Sequence, residues 1–194
     1  MGTEIEAKMH LDDGPALELH LVAAGGLPGP VCHELNIFFD TAQKTLQASG
    51  QGLRLRVERR QNDSRQKVII THKGPRTNSS LKVRSETELV VEDVFTAEAF
   101  LDALGFVRVL SFEKRRRRWR LDSCHVDIDH LPYLGEFVEI EGASEEAVLA
   151  VRKKLGLATK PLISASYAGM LKHYLTQHQM TNDHVPLTDD PPVR

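Results

Sequence analysis

The chain has 194 residues, 41% of them hydrophobic, which is enough for one domain with a substantial core. Its 25 Lys and Arg residues nearly balance its 27 Asp and Glu residues, which argues against a globally basic nucleic-acid-binding protein. No apolar run approaches the ~20 residues needed to cross a bilayer. Cys32 and Cys124 lack the spacing of a disulfide framework or a thiolate metal site. We therefore expect a cytoplasmic protein that binds neither nucleic acid nor membranes.

The first strand-like segment carries its charges on one face. Side chains alternate between the two faces of a strand, so Glu4, Glu6 and Lys8 share one side. Two adjacent carboxylates repel each other, and a divalent cation between them relieves that repulsion. A nearby ammonium group suits an anionic ligand of the same cation. The pattern predicts a site for a metal and a phosphate.

Capping and turn residues predict the elements that follow. Asp12 and Asp13 precede a helix that begins near Pro15 and ends at Gly25. Residues 27–30 are predicted as a loop, and residues 31–40 as a strand. Three later helices are predicted over residues 96–104, 144–155 and 164–176. Residues 1–176 are predicted to form the domain, and residues 177–194, rich in Pro, Asp and Thr, a mobile or loosely docked tail.

The alternation of charged and apolar residues recurs on five more strand-like segments. One such strand is typical of a sheet with its charged side in water. In this chain, however, Arg predominates over Lys, and the carboxylates come in pairs two residues apart. We therefore predict an α+β fold: an eight-stranded antiparallel closed barrel with a charged lumen, surrounded by helices. The charged positions include Arg54, Arg56, Lys82, Arg84, Glu86, Glu88, Lys114, Arg116, Arg118, Asp127, Asp129, Glu139 and Glu141.

With these residues in order, the chain resembles the CYTH superfamily, the triphosphate tunnel metalloenzymes. The resemblance extends from Thr3 to about Leu175. Features near Lys73-Gly74-Pro75 and in residues 163–171 look most like the branch named for class IV adenylate cyclases. The motifs that carry the resemblance to the superfamily as a whole are Glu4-x-Glu6-x-Lys8, Leu53-Arg54-Leu55-Arg56, Thr71-His72-Lys73-Gly74-Pro75, Lys82-Val83-Arg84-Ser85-Glu86-Thr87-Glu88, Lys114-Arg115-Arg116, Asp127 and Leu134-Gly135-Glu136-Phe137-Val138-Glu139-Ile140-Glu141.

The resemblance implies a barrel whose lumen holds a triphosphate together with Mg²⁺ or Mn²⁺. Carboxylates without nearby His or Cys suit such hard cations. The implied catalytic residues are Glu4, Glu6, Lys8, Glu139 and Glu141. The implied metal ligands are Glu4, Glu6, Glu139 and Glu141, with Glu88 and Asp127 as further acidic neighbours. The implied triphosphate ligands are Lys8, Arg54, Arg56, Lys73, Arg84, Lys114 and Arg116.

Three functions fit these residues. Attack by water on an end phosphate gives a triphosphatase that acts on inorganic, nucleoside or other organic triphosphates. Attack by the ribose hydroxyl of ATP gives cyclic AMP and pyrophosphate. A module that binds triphosphate or polyphosphate without chemistry is the third possibility. Leu162 and Ile163 stand where many inorganic triphosphatases of this superfamily carry a Lys, which weakens that particular assignment.

Several other polar residues are interpreted as structural. The run Arg115 to Arg118 is divided by the strand, with Arg116 and Arg118 pointing inward, so we do not interpret it as a nucleic-acid-binding patch. His72 is predicted to face outward. Ser166-Tyr167 is interpreted as an anchor for the last helix. The expected partner is a small triphosphate, and the expected assembly is a monomer or a homodimer.

Overall fold

The computed structural model describes residues 2–61, 63–77, 79 and 81–187. Strands predominate along the chain, and helices stand between some of them. The five helices are α1 (Gly14–Ala23), α2 (Thr45–Ala48), α3 (Val94–Ala103), α4 (Glu145–Lys154) and α5 (Tyr167–Gln177). The strands are β1 (Gly2–Leu11), β2 (Leu27–Thr41), β3 (Gly52–Arg60), β4 (Gln66–Arg76), β5 (Lys82–Val91), β6 (Phe106–Leu121), β7 (Cys124–Leu131), β8 (Gly135–Glu141) and β9 (His184–Val185).

Eight of these strands close into an antiparallel barrel. Their order is β2-β3-β4-β5-β1-β8-β7-β6, and β6 pairs in turn with β2. The closing pair is long: its register runs from Leu27 opposite Arg120 to Thr41 opposite Phe106. The prediction of an α+β fold with a closed eight-stranded barrel is confirmed.

Most apolar residues of the barrel strands face outward and meet the helices, whereas Phe38, Ile69 and Phe112 line the interior. Helices α1 and α4 place Leu21 and Val148, both 0% exposed, on the cluster that contains Ile140. Ala97 and Leu101 of α3 pack over β2, β3 and β4. Leu171 of α5 packs with Phe112 and Phe137. Because this coat buries the outer faces, the charged residues of the same strands are left inside the barrel.

Helices α1, α4 and α5 each begin directly after a capping residue, whereas α3 begins at Val94 after the cap Asp93, two residues earlier than predicted. The side chain of Asp13 accepts a hydrogen bond from the N–H of Ala16, 2.9 Å away, at the start of α1. Ser144 caps α4, and Ser166 caps α5 through the N–H of Gly169. The last helix therefore begins at Tyr167, three residues later than predicted. Its entry is fixed by a backbone hydrogen bond of 2.8 Å from Ile163 N–H to the carbonyl of Lys8.

The prediction of a loop at residues 27–30 is wrong, because β2 begins at Leu27. The register against β6 shifts between Pro28 and Val31. Proline lacks a backbone N–H, and such an irregularity lets a strand accommodate it without breaking the ladder.

Part of the predicted tail docks on the barrel. β9 pairs in parallel with Ser111 and Phe112 of β6, and Val185 is 1% exposed. This pairing covers a stretch of β6 that precedes its ladder with β7, which begins at Arg115. Residues 188–194 of the predicted tail lie outside the described residues.

Among the described helices, none combines the length and apolar character needed to span a membrane.

Candidate active site in the barrel lumen

The barrel encloses a cavity of about 700 Å³, which we call the lumen. Side chains from all eight barrel strands line it. Every residue predicted at the site contributes to this lining, although their individual roles stay predictions. Those residues are Glu4, Glu6, Lys8, Arg54, Arg56, Lys73, Arg84, Glu88, Lys114, Arg116, Asp127, Glu139 and Glu141.

Strand register brings the predicted carboxylates and cations side by side. In the β1 and β5 pair, Glu4 lies opposite Arg84. In the β1 and β8 pair, Glu6 lies opposite Glu141 and Lys8 opposite Glu139. Neighbouring strands put directly opposed side chains within contact distance on one face. The barrel thus gathers residues more than 130 positions apart in sequence into one wall, as Glu6 and Glu141 illustrate.

Glu4 is the most heavily paired carboxylate of this wall. Its oxygens lie 3.3 Å from Lys73 Nζ, 3.3 Å from Lys82 Nζ and 3.0 Å from Arg84 Nε. Burial opposes ionisation, but these cations outweigh it and hold the pKa of Glu4 well below its usual range. Glu4 is therefore an anion at neutral pH. Burial and the neighbouring Arg54 lower the pKa of Lys73 to about 8.

Glu141 has the opposite electrostatic environment. Burial within the barrel, followed by the negative charges of Glu4, Glu6 and Glu86, raises its pKa to about 7. Its side chain is nevertheless exposed to the open lumen. A raised carboxyl pKa caused by neighbouring carboxylates marks a place where negative charge is in excess.

The donor set at this place fits a hard divalent cation. Within the described ranges, no three Asp, Glu, His or Cys side chains already converge as a metal cluster. Yet Glu6 Oε1 is buried without a hydrogen-bond partner and has only Lys8 Nζ at 3.6 Å. Glu141 crowds the same wall. Carboxylate oxygens that repel one another and lack full pairing are suitable ligands for Mg²⁺ or Mn²⁺.

Arg54 and Arg56 of β3 face the lumen and are only weakly neutralised by carboxylates. Their closest carboxylate contacts are long: Arg54 lies 4.0 Å and Arg56 3.7 Å from Glu88. The Nε atoms of both are buried without a partner. Burial and the adjacent Arg56 lower the pKa of Arg54 to about 10, so Arg54 stays charged at neutral pH. Two repelling, under-paired guanidinium groups favour a multivalent anion between them.

Lys114 and Arg116 of β6 form ion pairs with two buried acids that the predicted site does not include. Asp129, 0% exposed, lies 2.9 Å from Lys114 Nζ and 2.6 Å from Arg116 Nη2. Glu34, also 0% exposed, lies 3.6 Å from Lys114 and 3.2 Å from Arg118. Both acids were detectable from the sequence, because Asp129 alternates with Asp127 and Glu34 alternates with apolar residues of β2.

The prediction that Tyr167 serves only as an anchor for the last helix is incomplete. Ser166 does cap α5, but the Tyr167 side chain lines the lumen. Lys8 Nζ lies 4.1 Å from the centre of the tyrosine ring. Strand parity could not predict an inward direction for this residue, because it belongs to a helix rather than to a barrel strand.

The outward-facing assignments agree with the structure. His72 is exposed and its Nε2 lies 2.8 Å from Gln51 Oε1. Arg117 lies outside the lumen and pairs with Glu136 at 2.9 Å, whereas Arg116 and Arg118 line the lumen. The strand therefore places alternate arginines of this run on opposite faces, as predicted.

Comparisons with known proteins agree with this fold and lumen. Residues 2–167 match the CYTH domain family. Adenylate cyclase CyaB of Aeromonas hydrophila is 28% identical over 185 residues, which cover 89% of this chain and 91% of that protein. The structure of PH1819 from Pyrococcus horikoshii OT3 superposes with a TM-score of 0.77 at 25% identity, over 88% of this chain and 99% of that one. HpAC1 from Hippeastrum, a provisionally named adenylyl cyclase with a dominant triphosphatase activity, gives a TM-score of 0.63 at 20% identity, over 92% of this chain and 97% of that one.

The match over residues 2–167 covers most of the chain, and the chain therefore belongs to the CYTH domain family. The resemblance to the CYTH superfamily that the sequence indicates is confirmed. The predicted similarity to relatives named as adenylate cyclases is confirmed as well.

Proposed function

We propose that this protein is a divalent-metal-dependent triphosphatase that hydrolyses inorganic triphosphate or a nucleoside or other organic triphosphate inside the barrel. The observation that carries this proposal is the pair Arg54 and Arg56. Both face the same lumen, their side chains are 13% and 11% exposed, and their carboxylate contacts are long. A polyphosphate chain supplies the closely spaced negative charges that such a pair lacks.

The arginines and lysines of the lumen would bind the phosphates in different ways. Phosphoryl transfer depends mainly on in-line positioning and on neutralisation of the phosphate oxygens. Arg54, Arg56 and Arg84 offer planar forks to those oxygens, and the lysines offer point charges. Enclosure strengthens these attractions, because opposite charges ~4 Å apart attract by ~1 kcal/mol in bulk water and several times more at an intermediate dielectric. The lysines concerned are Lys8, Lys73 and Lys114.

Glu4, Glu6, Glu139 and Glu141 would hold Mg²⁺ or Mn²⁺, with Asp127 and Glu88 as acidic neighbours. A bound divalent cation neutralises phosphate charge and makes an attacking water more acidic. Ion pairs hold Glu4, Glu6 and Glu139 close to cations of the lumen, so these carboxylates are placed near the phosphate ligands. Glu139, for instance, lies 3.2 Å from Lys8 and 2.6 Å from Arg116.

Adenylate cyclase activity is the second candidate, and the similarity to CyaB favours it. A cyclase must hold adenine and ribose so that the hydroxyl lies in line with the α-phosphate. A hydrolase has no such need. Binding of a triphosphate or polyphosphate without turnover is the third candidate.

A product analysis separates the three functions. Purified protein is incubated with Mg²⁺ or Mn²⁺ and either tripolyphosphate or ATP, and phosphate, pyrophosphate and cyclic AMP are quantified. We expect orthophosphate release. Cyclic AMP as the main product would establish the cyclase, and tight binding without any product would establish the binding module.

Two variants connect the activity to the lumen. Glu139→Gln should reduce turnover by at least 100-fold and binding much less, because it removes a carboxylate without removing a phosphate-binding cation. Glu92→Gln is the matched control, since Glu92 is an exposed carboxylate outside the lumen lining. Equal activity of both variants would overturn the assignment of Glu139.

We also infer a cytoplasmic location, because Cys32 and Cys124 are both free thiols. A monomer and a homodimer remain the two assemblies that we expect.

A further inference from the structure

The hydroxyl group of Tyr167 lies in the lumen wall without a hydrogen-bond partner. The residue is 8% exposed, and its oxygen is buried. Buried hydroxyl groups are usually hydrogen-bonded, because they lose their bonds to water on burial. Among the described residues, no group satisfies this one, although charged side chains surround it. An unmet hydroxyl in a binding cavity indicates that its partner is a ligand.

The groups nearest to the ring identify the kind of partner. Lys8 Nζ lies 4.1 Å and Lys114 Nζ 5.1 Å from the ring centre. An ammonium group donates hydrogen bonds and cannot accept one. Lys8 and Lys114 therefore cannot satisfy the phenol as a donor. Each of the three groups is a donor, so an anion placed between them can accept hydrogen bonds from all three.

The phenol has a fixed protonation state in this environment. Burial and the negative charges of Asp129 and Glu139 raise the pKa of Tyr167 well above its usual range. At neutral pH the hydroxyl therefore keeps its proton and can donate it in a hydrogen bond. A phosphoryl oxygen is a matching acceptor.

The start of α5 adds further hydrogen-bond donors at this part of the wall. Ser166, Tyr167 and Ala168 line the lumen, so the amino end of this 11-residue helix lies at the cavity wall. Helix amino ends carry partial positive charge and unpaired N–H groups, which favour phosphate. Lys8 Nζ also donates to the carbonyl of Ala165 at 3.2 Å, which ties this end of α5 to β1.

We propose that the Tyr167 hydroxyl, together with Lys8, Lys114 and the amino end of α5, forms the subsite for one terminal phosphoryl group of the triphosphate. This inference rests on the proposed function and deepens it, because it gives the polyphosphate a fixed end. Tyr167 acts in this subsite as a binding residue and takes no proton.

The test compares two Tyr→Phe variants on the same helix. Tyr167→Phe removes only the unpaired hydroxyl and keeps the ring beneath the lysines. Tyr174→Phe is the matched control, because Tyr174 stacks on Tyr133 and His178 and does not line the lumen. Binding of non-hydrolysable imidotriphosphate is measured by calorimetry with Mg²⁺, and the unfolding temperature of each free protein is measured alongside.

Tyr167→Phe should weaken imidotriphosphate binding by roughly 10- to 100-fold, as for the loss of a hydrogen bond to a charged group. The unfolding temperature of the free variant should not fall, because the hydroxyl has no partner to lose. Tyr174→Phe should bind as the wild type does. This combination separates a ligand contact from a structural role.

Three results have distinct meanings. If Tyr167→Phe binds as tightly as Tyr174→Phe while the wild type binds normally, the subsite is wrong and the proposed function stands. If free Tyr167→Phe unfolds at a clearly lower temperature, the hydroxyl has a structural partner, and the subsite is also wrong. If the wild type does not bind imidotriphosphate, the proposed function fails and the subsite with it.

Discussion

Arg116 Nη2 lies 2.6 Å from Glu139 Oε2, so a predicted phosphate ligand is bonded to a predicted metal ligand. The same arrangement recurs where Lys8 lies 3.2 Å from Glu139. Around Glu139, predicted phosphate ligands and a predicted metal ligand thus neutralise one another. When phosphates engage the cations, the carboxylates lose their partners, and a divalent cation can replace them.

This exchange predicts cooperative binding of Mg²⁺ and triphosphate. Each ligand removes the ion pairs that compete with the other, so imidotriphosphate should bind about 5- to 150-fold more tightly with saturating Mg²⁺ than in EDTA. Calorimetry under the two conditions measures the factor. The reciprocal factor for Mg²⁺ must be equal, since coupling free energies are symmetric. Identical affinities in EDTA and Mg²⁺ would contradict the ion-pair exchange.

Arg56→Gln should weaken triphosphate binding by roughly 10- to 100-fold, because Arg56 faces the lumen and its carboxylate contacts, 3.9 Å to Glu34 and 3.7 Å to Glu88, are long. The free variant should be as stable as the wild type or more stable, since the substitution removes repulsion with Arg54. Titration calorimetry and thermal unfolding give the two quantities. Arg59→Gln is the control, because Arg59 is exposed on the same strand. A loss of stability with unchanged binding would show that Arg56 serves the fold instead.

Glu34→Gln should destabilise the protein by about 3–5 kcal/mol at pH 7, because it leaves buried cations without their shared anion. Glu34 is 0% exposed and lies 3.2 Å from Arg118 and 3.6 Å from Lys114. Urea unfolding of both proteins gives the difference in the free energy of unfolding. Glu92→Gln, at an exposed position, should change it by less than about 0.5 kcal/mol.

The same pair of proteins should show a defined pH dependence. Burial opposes ionisation of Glu34, but Lys114, Arg116 and Arg56 outweigh it and hold its pKa well below the ordinary value of 4.5. A carboxyl group with a lowered pKa in the folded state stabilises the protein fully above its unfolded pKa. The wild type's advantage should thus be constant from pH 6 to 8 and shrink as the pH falls below about 4.5. An advantage that grows in acid would refute this account.

Val185→Ala should lower the free energy of unfolding by roughly 1–3 kcal/mol, although the residue belongs to the segment predicted as a tail. Val185 is 1% exposed and packs with Leu171 and Leu175 of α5. Val90→Ala makes the same change at a residue that is 60% exposed and should have little effect. Equal, small losses in both variants would mean that β9 contributes nothing to stability.

The lumen could be predicted from the sequence to a large extent because strand parity is a local property. Residues two apart share a face, so the inward direction of Arg54 with Arg56, and of Asp127 with Asp129, follows without any knowledge of distant contacts. The helix starts at Asp13 and Ser144 were predictable for the same reason, since a cap acts within four residues.

Pairings across the barrel could not be predicted in this way. Which cation meets Glu34, and whether Tyr167 reaches the lumen, depend on register and on how α5 packs. A one-residue change of register would exchange every contact while leaving the local sequence the same. The sequence alone determined which side chains turn inward, because that depends on the two-residue repeat of a strand. Only the closed tertiary structure decided which of them meet and which remain under-paired, because those distances are fixed by strand pairing between residues far apart in the chain.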